Sequence, residues 1–130
     1  MMNTHKPKIL VIDDDAVIRA SIQAILTRKN CSVAGAKSAA EARELLNPQK
    51  KGGYALIILD IKLGEESGLE LLADMRANGI TVPVLMVSGL TEMEKIQQAA
   101  AYSIKGYLVK PFNAQTLCEK VAACLPELAA

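Results

Sequence analysis

Short apolar runs alternate with amphipathic segments along the chain. Five runs read as β-strands, and most of them lack the alternation of a half-exposed strand: residues 8–12, 32–36, 55–59, 82–87 and 106–109. Strands that are apolar at nearly every position are typical of a sheet that is covered on both faces. The pattern therefore predicts five buried strands, of which the second, with its small residues, is the weakest.

Helical periodicity fills the intervals between these strands. Apolar residues recur at spacings of three and four, which places each set on one helix face: Ile18, Ile22, Ile25 and Leu26; Leu69, Leu72 and Met75; Met93, Ile96 and Ala100; Leu117, Val121, Cys124 and Leu125. Strict alternation of five strands with five helices predicts an α/β fold, a doubly wound parallel sheet with helices on both sides.

Capping residues mark the predicted helix starts. Three pairs match the capping box, and two further residues are N-cap candidates: Ser38 with Glu41, Ser67 with Glu70, Thr91 with Glu94, and singly Asp15 and Asn113. We therefore assign Asp15 to the start of the first helix.

The composition does not indicate a nucleic-acid-binding protein, a membrane protein or a zinc protein. A chain of 130 residues with a net charge of +1 fits one domain and offers no basic patch for nucleic acid. No apolar stretch is long enough to span a membrane. The cysteines, Cys31, Cys118 and Cys124, do not cluster with the single histidine, His5, so zinc is not indicated. We expect a cytoplasmic protein with reduced, mostly buried thiols.

Chemically capable side chains follow four of the five predicted strands. Asp13 and Asp14 follow the first strand, Asp60 the third, Ser88 the fourth and Lys110 the fifth. Each alone has an ordinary interpretation as a cap, a turn residue or a surface residue. The carboxyl ends of parallel strands, however, meet at one edge of the sheet, where ligands bind. The pattern therefore predicts a shared site of carboxylates, a hydroxyl and an ammonium group.

These residue types suit phosphoryl transfer. Oxygen ligands without His or Cys select a hard cation, so Asp13, Asp14 and Asp60 predict a Mg²⁺ site, with Mn²⁺ as an alternative ion. Asp60, alone after its strand, could act as a nucleophile towards phosphorus and form an acyl phosphate. Lys110 and the metal would neutralise charge on the phosphoryl group, and the Ser88 hydroxyl could hydrogen-bond one of its oxygens.

Taken together, these segments resemble the CheY-like receiver domain of two-component response regulators. The resemblance is carried by ILVIDDD, LIILDIKLGEESGLELL, VPVLMVSG and GYLVKPF, in that order, between Lys8 and Leu125. It implies a flavodoxin-like fold with strand order 2-1-3-4-5 and one receiver domain over residues 1–130, with a flexible tail at 1–7 and a core at 8–125. It also implies a signalling switch that catalyses only its own phosphorylation and dephosphorylation.

The resemblance assigns roles to the acidic residues. Asp13 and Asp14 match the acidic pair, with Asp14 as the direct metal ligand, and Asp60 matches the phosphorylated aspartate. Lys62 would offer its backbone carbonyl to Mg²⁺. Because His5 lies in the tail and is a poor donor, the phosphoryl group should come in trans from a histidine kinase or a histidine phosphotransfer protein.

The resemblance also assigns the switch. Ser88 matches the switch hydroxyl, Tyr107 the aromatic residue that changes rotamer, and Lys110 the lysine that precedes a cis bond to Pro111. Phosphorylation would then reshape the face made by the fourth helix, the fifth strand and the fifth helix, to which a downstream protein target binds. We expect either a stand-alone receiver or one cut from a longer protein.

Two segments depart from the family pattern. The segment after Asp60 lacks the usual proline and carries Glu65 and Glu66, so we expect a more flexible loop and an altered phosphoryl lifetime. The stretch AYSIKGY lacks the usual Gly-Ala, which predicts altered geometry before the last strand.

Two alternatives stay open on sequence alone. IDDDAV also matches haloacid-dehalogenase-type phosphatases, with Asp13 as nucleophile and Asp15 as acid/base, although the chain is short and Asp60 would have no role. A degenerate receiver would act only as a binding module, although the set of Asp14, Asp60, Ser88 and Lys110 is intact.

Overall fold

A five-stranded parallel sheet forms the centre of the protein, whose computed structural model describes residues 6–47 and 53–125. The sheet strands are β1 (Lys8–Ile12), β2 (Ser32–Ala36), β3 (Leu56–Asp60), β4 (Val84–Ser88) and β5 (Gly106–Val109). Their spatial order is β2-β1-β3-β4-β5, and all neighbours pair in parallel. The predicted fold class and strand order are confirmed.

Within the described ranges, five α-helices cover the two faces of this sheet. They are α1 (Ala16–Thr27), α2 (Ala39–Leu45), α3 (Gly68–Ala77), α4 (Met93–Ala99) and α5 (Ala114–Cys124). Because successive strand side chains point to opposite faces, Ile9 and Val11 pack with α1 and α5, while Leu10 and Ile12 pack with α2, α3 and α4. Both faces are buried, which explains the continuously apolar strands.

Two strands are displaced from their predicted ranges, and the displacement places two of the predicted site residues at strand ends. β3 covers 56–60 instead of 55–59 and so includes Asp60. β4 begins at Val84, after Pro83, and ends at Ser88. Proline has no N–H to donate to a ladder, so the strand begins only after it.

The capping residues agree with the predictions at four helices. Side-chain oxygens accept backbone N–H groups at the starts of α1, α2, α3 and α5 from Asp15, Ser38, Ser67 and Asn113 respectively. The Thr91 prediction is wrong, because a 3₁₀ turn over Leu90–Glu92 precedes α4 and Thr91 contacts Glu92 instead.

The described chain begins at residue 6, just before β1. Of the predicted tail at 1–7, residues 1–5, including His5, lie outside the described residues. Pro7 is buried, and its carbonyl accepts a hydrogen bond from the Ser32 N–H at 2.9 Å. Pro7 therefore extends the contact between β1 and β2.

The three cysteines are free thiols, mostly buried, as the composition predicts. Cys31 and Cys124 are buried and Cys118 is half-buried. Within the part of the chain that the structure describes, no helix combines the length and the apolarity that a membrane span requires.

The segment after Asp60 is a paired hairpin rather than the more flexible loop that we expected. Lys62–Leu63 pairs antiparallel with Glu66–Ser67, and Gly64 makes the turn with a φ of 62°. Oε1 of Glu66 accepts the Ala39 N–H at 3.4 Å, next to the N-cap of α2. Backbone pairing and this contact hold the segment in place of the missing proline.

The stretch before β5 forms a tight turn, and the prediction that its geometry departs from the family pattern stays a prediction. After α4 the chain tightens into a 3₁₀ turn at Ala100–Tyr102, and Ser103 adopts a left-handed φ of 62°. The Arg76 Nε donates to the Tyr102 carbonyl at 2.8 Å, and its Nη1 donates to the carbonyls of Ile80 and Val82. One guanidinium group thus holds this turn against the segment that precedes β4.

Gly68 is required where α3 begins beside the end of β3. Its N–H donates to the Ile61 carbonyl at 2.6 Å, and a Cβ at this position would overlap the Asp60 carbonyl oxygen. We expect Gly68→Ala to lower the free energy of unfolding by about 2 kcal/mol, because backbone atoms must move. Chemical denaturation measures this. Gly106→Ala is the control, since its Cβ would lie an ordinary 3.6 Å from Leu85; equal stability of the two variants would contradict the prediction.

Candidate functional site

Three carboxylates and one ammonium group meet at the carboxyl edge of the sheet. Asp13 and Asp60 are 2% and 6% exposed, whereas Asp14 is exposed to solvent. One oxygen of each carboxylate lies within 4.8 Å of the others. The Lys110 Nζ lies 3.0 Å from Asp13 Oδ2 and 2.8 Å from Asp60 Oδ2. The structure thus brings together four predicted site residues: Asp60 at the end of β3, and Asp13, Asp14 and Lys110, which follow β1 and β5.

Backbone groups fix the other oxygens of the two buried carboxylates. Asp13 Oδ1 accepts the Asp15 N–H at 2.9 Å, and Asp60 Oδ1 accepts the Lys62 N–H at 3.1 Å. The Arg19 Nη1 donates to the Asp13 carbonyl at 2.6 Å. Since a buried carboxylate is costly unless it is paired and hydrogen-bonded, these contacts hold both side chains in one orientation.

The proton affinities at the site reflect burial as well as pairing. Burial raises the pKa of the Asp60 carboxyl above its usual range, the hydrogen bond from Lys110 lowers it in part, and the charge of Asp13 raises it further. Burial lowers the pKa of the Lys110 ammonium, but its hydrogen bonds to Asp60 and Asp13 outweigh this, so its pKa is raised. Lys110 therefore remains charged at neutral pH.

The donor set fits a hard divalent cation. Three carboxylates face a single ammonium group, which leaves excess negative charge at the cluster. All the donors are oxygens, which suits Mg²⁺. Asp14 and Asp60 line an open cleft of about 380 Å³ together with Lys62 and Gly89. The prediction that the Lys62 carbonyl is a metal ligand stays a prediction.

Ser88 reaches the same sheet edge, but its hydroxyl does not line the cleft. The residue is fully buried, and its Oγ donates to the Met93 Sδ at 3.6 Å. Its carbonyl accepts the Lys110 N–H at 2.7 Å. The predicted contact with a phosphoryl oxygen therefore requires the side chain to rotate away from Met93.

Tyr107 points outward from β5. Its side chain leaves the residue 40% exposed, and the Lys120 Nζ of α5 lies 5.5 Å from the centre of its ring. A cation over an aromatic face stabilises that ring position. The rotamer is the outward one from which the predicted inward rotation would start. The Lys110–Pro111 bond that follows β5 is cis, as predicted.

Asp15 lines the cleft, but its carboxylate is engaged as the N-cap of α1. Its carboxylate accepts the N–H groups of Val17 and Ile18 at 2.9 and 3.3 Å, which is the N-cap geometry. The phosphatase alternative requires Asp15 to face a substrate beside Asp13.

Sequence reasoning missed three supporting residues. Arg19 holds the acidic loop, Met93 accepts the Ser88 hydroxyl, and Lys120 covers Tyr107. No motif marks these contacts, since each joins different structural elements through particular rotamers. The sequence places Arg19 on the polar face of α1 and Lys120 on the outer face of α5. It does not distinguish either residue from the other polar residues of those faces.

The fold and the site define a doubly wound α/β protein with an acidic, lysine-bearing site at its carboxyl edge. The chain belongs to the response regulator receiver domain family, whose model matches residues 9–122. The phosphatase alternative is therefore wrong. Chemotaxis protein CheY-3 of Vibrio cholerae is 32% identical over 116 residues, which is 88% of each chain. Protein PetR of Rhodobacter capsulatus is 33% identical over 125 residues, and this chain spans only about half of PetR (51%).

Solved structures of receiver domains superpose over nearly the whole chain. Chemotaxis response regulator CheY4 of Vibrio cholerae has a TM-score of 0.83 at 29% identity and covers 93% of this chain and 100% of its own. A CheY-like receiver domain protein from Methanospirillum hungatei has a TM-score of 0.84 at 28% identity, covering 96% and 98%. A response regulator receiver protein from Pseudomonas putida is 33% identical, with a TM-score of 0.80 and coverage of 90% and 96%.

Proposed function

We propose that this receiver accepts a phosphoryl group on Asp60 in a Mg²⁺-dependent transfer from a histidine kinase or a histidine phosphotransfer protein in the cytoplasm. The observation that carries the proposal is the position of the Asp60 carboxylate, which is held between the Lys110 ammonium and the acidic cluster. The protein is thus a switch rather than an enzyme that turns over a substrate.

Each site residue would have a different role in the transfer. A carboxylate oxygen of Asp60 forms a bond to phosphorus as the bond from phosphorus to the donor imidazole breaks, and the imidazole leaves with the electron pair. Lys110 exchanges its contact with Asp60 for a phosphoryl oxygen, while Asp13 keeps the ammonium in place. A Mg²⁺ ion held by Asp13, Asp14, Asp60 and the Lys62 carbonyl would neutralise charge on the phosphoryl group.

The donor would approach beside α1. Val17, 78% exposed, lines an apolar cleft of about 450 Å³ with Ile18 and Phe112, and this cleft also contacts Lys110. A large exposed apolar residue beside a phosphoryl site suits a helix that carries the donor histidine. We propose this cleft as the contact for the donor protein.

The output surface would be the face formed by α4, β5 and α5. Phosphorylation adds negative charge at the ends of β3 and β4, and the Ser88 hydroxyl rotates towards it. Tyr107, now exposed beneath Lys120, then turns inward and changes the surface that a downstream protein binds.

Acetyl phosphate tests the proposal without the donor protein. With Mg²⁺ present, we expect one phosphoryl group per chain, located by peptide mass spectrometry at Asp60, and none when the metal is chelated. Phosphorylation at Asp13, or at several sites, would contradict the assignment of Asp60.

Asp14 and Asp15, two exposed neighbours at the site, allow a matched test of metal binding. We expect Asp14→Asn to weaken Mg²⁺ binding by about tenfold, because a direct ligand loses its charge. Asp15→Asn should leave it unchanged, because asparagine also caps α1. Isothermal titration calorimetry with MgCl₂ measures both variants. Equal losses in the two variants would show that only the general acidity of the loop matters.

A further inference from the structure

The backbone of Ser88 is fixed, so its side chain alone can move. Ser88 is the last residue of β4, where it pairs with Val109 of β5, and its carbonyl accepts the Lys110 N–H at 2.7 Å. The residue is 0% exposed. Rotation about the Cα–Cβ bond therefore redirects the hydroxyl without disturbing the sheet.

The Ser88 hydroxyl already has a partner in the unphosphorylated protein. Its Oγ donates to the Met93 Sδ at 3.6 Å. Met93 is the first residue of α4, is half-buried, and packs against the core that lies under α2, α3 and α4. A serine hydroxyl carries one proton, so it cannot donate to this sulfur and to a phosphoryl oxygen at the same time. The two acceptors compete for Ser88.

We propose that Met93 is a positioning residue that holds the switch hydroxyl in the resting orientation and thereby sets the affinity of the site for a phosphoryl group. The proposal rests on the proposed function of Asp60. A thioether is a weak acceptor, whereas a phosphoryl oxygen accepts a charge-assisted hydrogen bond. Met93 therefore satisfies a buried hydroxyl in the resting state and releases it when the phosphoryl group arrives.

The same contact joins the sheet edge to α4. Among the described residues, the side chain of Glu92, the N-cap of α4, accepts no capping hydrogen bond. The first turn of α4 therefore lacks the side-chain cap that the other four α-helices have. Ser88 supplies a side-chain contact at this turn through Met93. When the hydroxyl rotates towards phosphorus, this hydrogen bond between β4 and the start of α4 is lost, while the packing of Met93 on the core remains. The inference thus places Met93 between the phosphorylation site and the output face.

Two substitutions of Met93 change the acceptor in opposite directions. Met93→Leu conserves the volume and removes the acceptor, which leaves the resting hydroxyl without its partner. We expect it to tighten the binding of beryllofluoride, in the presence of Mg²⁺, by about fivefold. Met93→Gln supplies a stronger amide acceptor of similar length. We expect it to weaken the same binding by about fivefold.

Ser88→Ala provides the control that separates positioning from packing. Calorimetric titration measures beryllofluoride affinity in each Met93 variant, with Ser88 present and with Ser88→Ala. The inference requires both effects to disappear when the hydroxyl is absent. Effects that persist there, or that have the same sign for leucine and glutamine, would overturn it while leaving the role of Asp60 intact. Failure of the unsubstituted protein to bind beryllofluoride would overturn the proposed function, and this inference with it.

Discussion

Asp60→Asn is expected to abolish phosphorylation by acetyl phosphate, with the rate falling at least about a thousandfold. An amide oxygen is a poor nucleophile and carries no negative charge for the metal and Lys110 to balance. The substitution preserves the shape of the side chain, and the amide oxygen can still accept the Lys62 N–H. Loss of reaction would therefore reflect chemistry rather than a collapsed site. The measurement is the rate of phosphoprotein formation, read from intact-mass spectra.

Asp74→Asn is the matched control for this experiment. Asp74 lies on α3 and is half exposed. Its carboxylate forms an ion pair with Arg43 and is not part of the acidic cluster. We expect wild-type phosphorylation in this variant. A normal rate in Asp60→Asn would place the acceptor elsewhere. Partner binding that Asp60→Asn leaves unchanged under phosphorylating conditions would revive the degenerate receiver, which acts only as a binding module.

Lys110→Met is expected to slow phosphorylation by about a hundredfold and also to destabilise the fold. Methionine keeps the length of the side chain but removes the charge that would stabilise the phosphoryl group during transfer. It also leaves the carboxylates of Asp13 and Asp60 buried without their common partner. Since Lys110 is 22% exposed, water can replace part of the loss, and we expect about 2 kcal/mol lower stability at neutral pH.

The stability loss in Lys110→Met should depend on pH in a defined direction. The pKa of Asp60 is already raised in the folded protein by burial, and removal of the lysine raises it further. A carboxyl whose folded pKa lies above its unfolded value favours the folded state below the unfolded pKa and loses that contribution as the pH rises through the folded pKa. The stability gap between Lys110→Met and wild type should therefore be widest at neutral pH and narrow as the pH falls towards 4.

Lys105→Met is the control for the general loss of a positive charge. Lys105 is exposed and precedes β5. Denaturant unfolding between pH 4 and pH 8 should show a pH-dependent gap for Lys110→Met and none for Lys105→Met. A gap that is constant with pH would mean that Lys110 stabilises the fold by packing and not through its carboxylate partners.

The architecture follows from features that the sequence displays directly. Apolar strands predict a doubly covered parallel sheet, and parallel strands place Asp13, Asp60 and Lys110 at one edge whatever the details of the loops. A shift of β3 by one residue does not alter this, since Asp60 still ends the strand. The acidic site could be predicted because its location depends on topology rather than on exact boundaries.

The predictions that went wrong concern local backbone geometry. Thr91 has capping-box spacing, but the chain enters α4 through a 3₁₀ turn, and spacing does not distinguish the two. The hairpin after Asp60 did carry a signal, because Gly64 and Glu65 form a two-residue turn with glycine first. The missing proline indicates a flexible loop, whereas this turn indicates the hairpin that the structure shows.

The side-chain positions of Ser88 and Tyr107 could not be predicted from the sequence. The Ser88 hydroxyl can face either the cleft or Met93, and the strand pattern is the same in both cases. The outward position of Tyr107 depends on Lys120, which reaches it from another element. Such choices are decided by rotamers and by weak contacts whose free energies are small beside those that determine the fold.

A crystal structure of the protein with beryllofluoride and Mg²⁺ tests the central claim most directly. We predict beryllium bonded to an Asp60 carboxylate oxygen, the Lys110 Nζ and the Ser88 Oγ in contact with fluorine atoms, and Mg²⁺ bound by Asp13, Asp14 and Asp60. Beryllofluoride on a different carboxylate, or Lys110 still bound to both Asp13 and Asp60 with no ligand between them, would contradict the account.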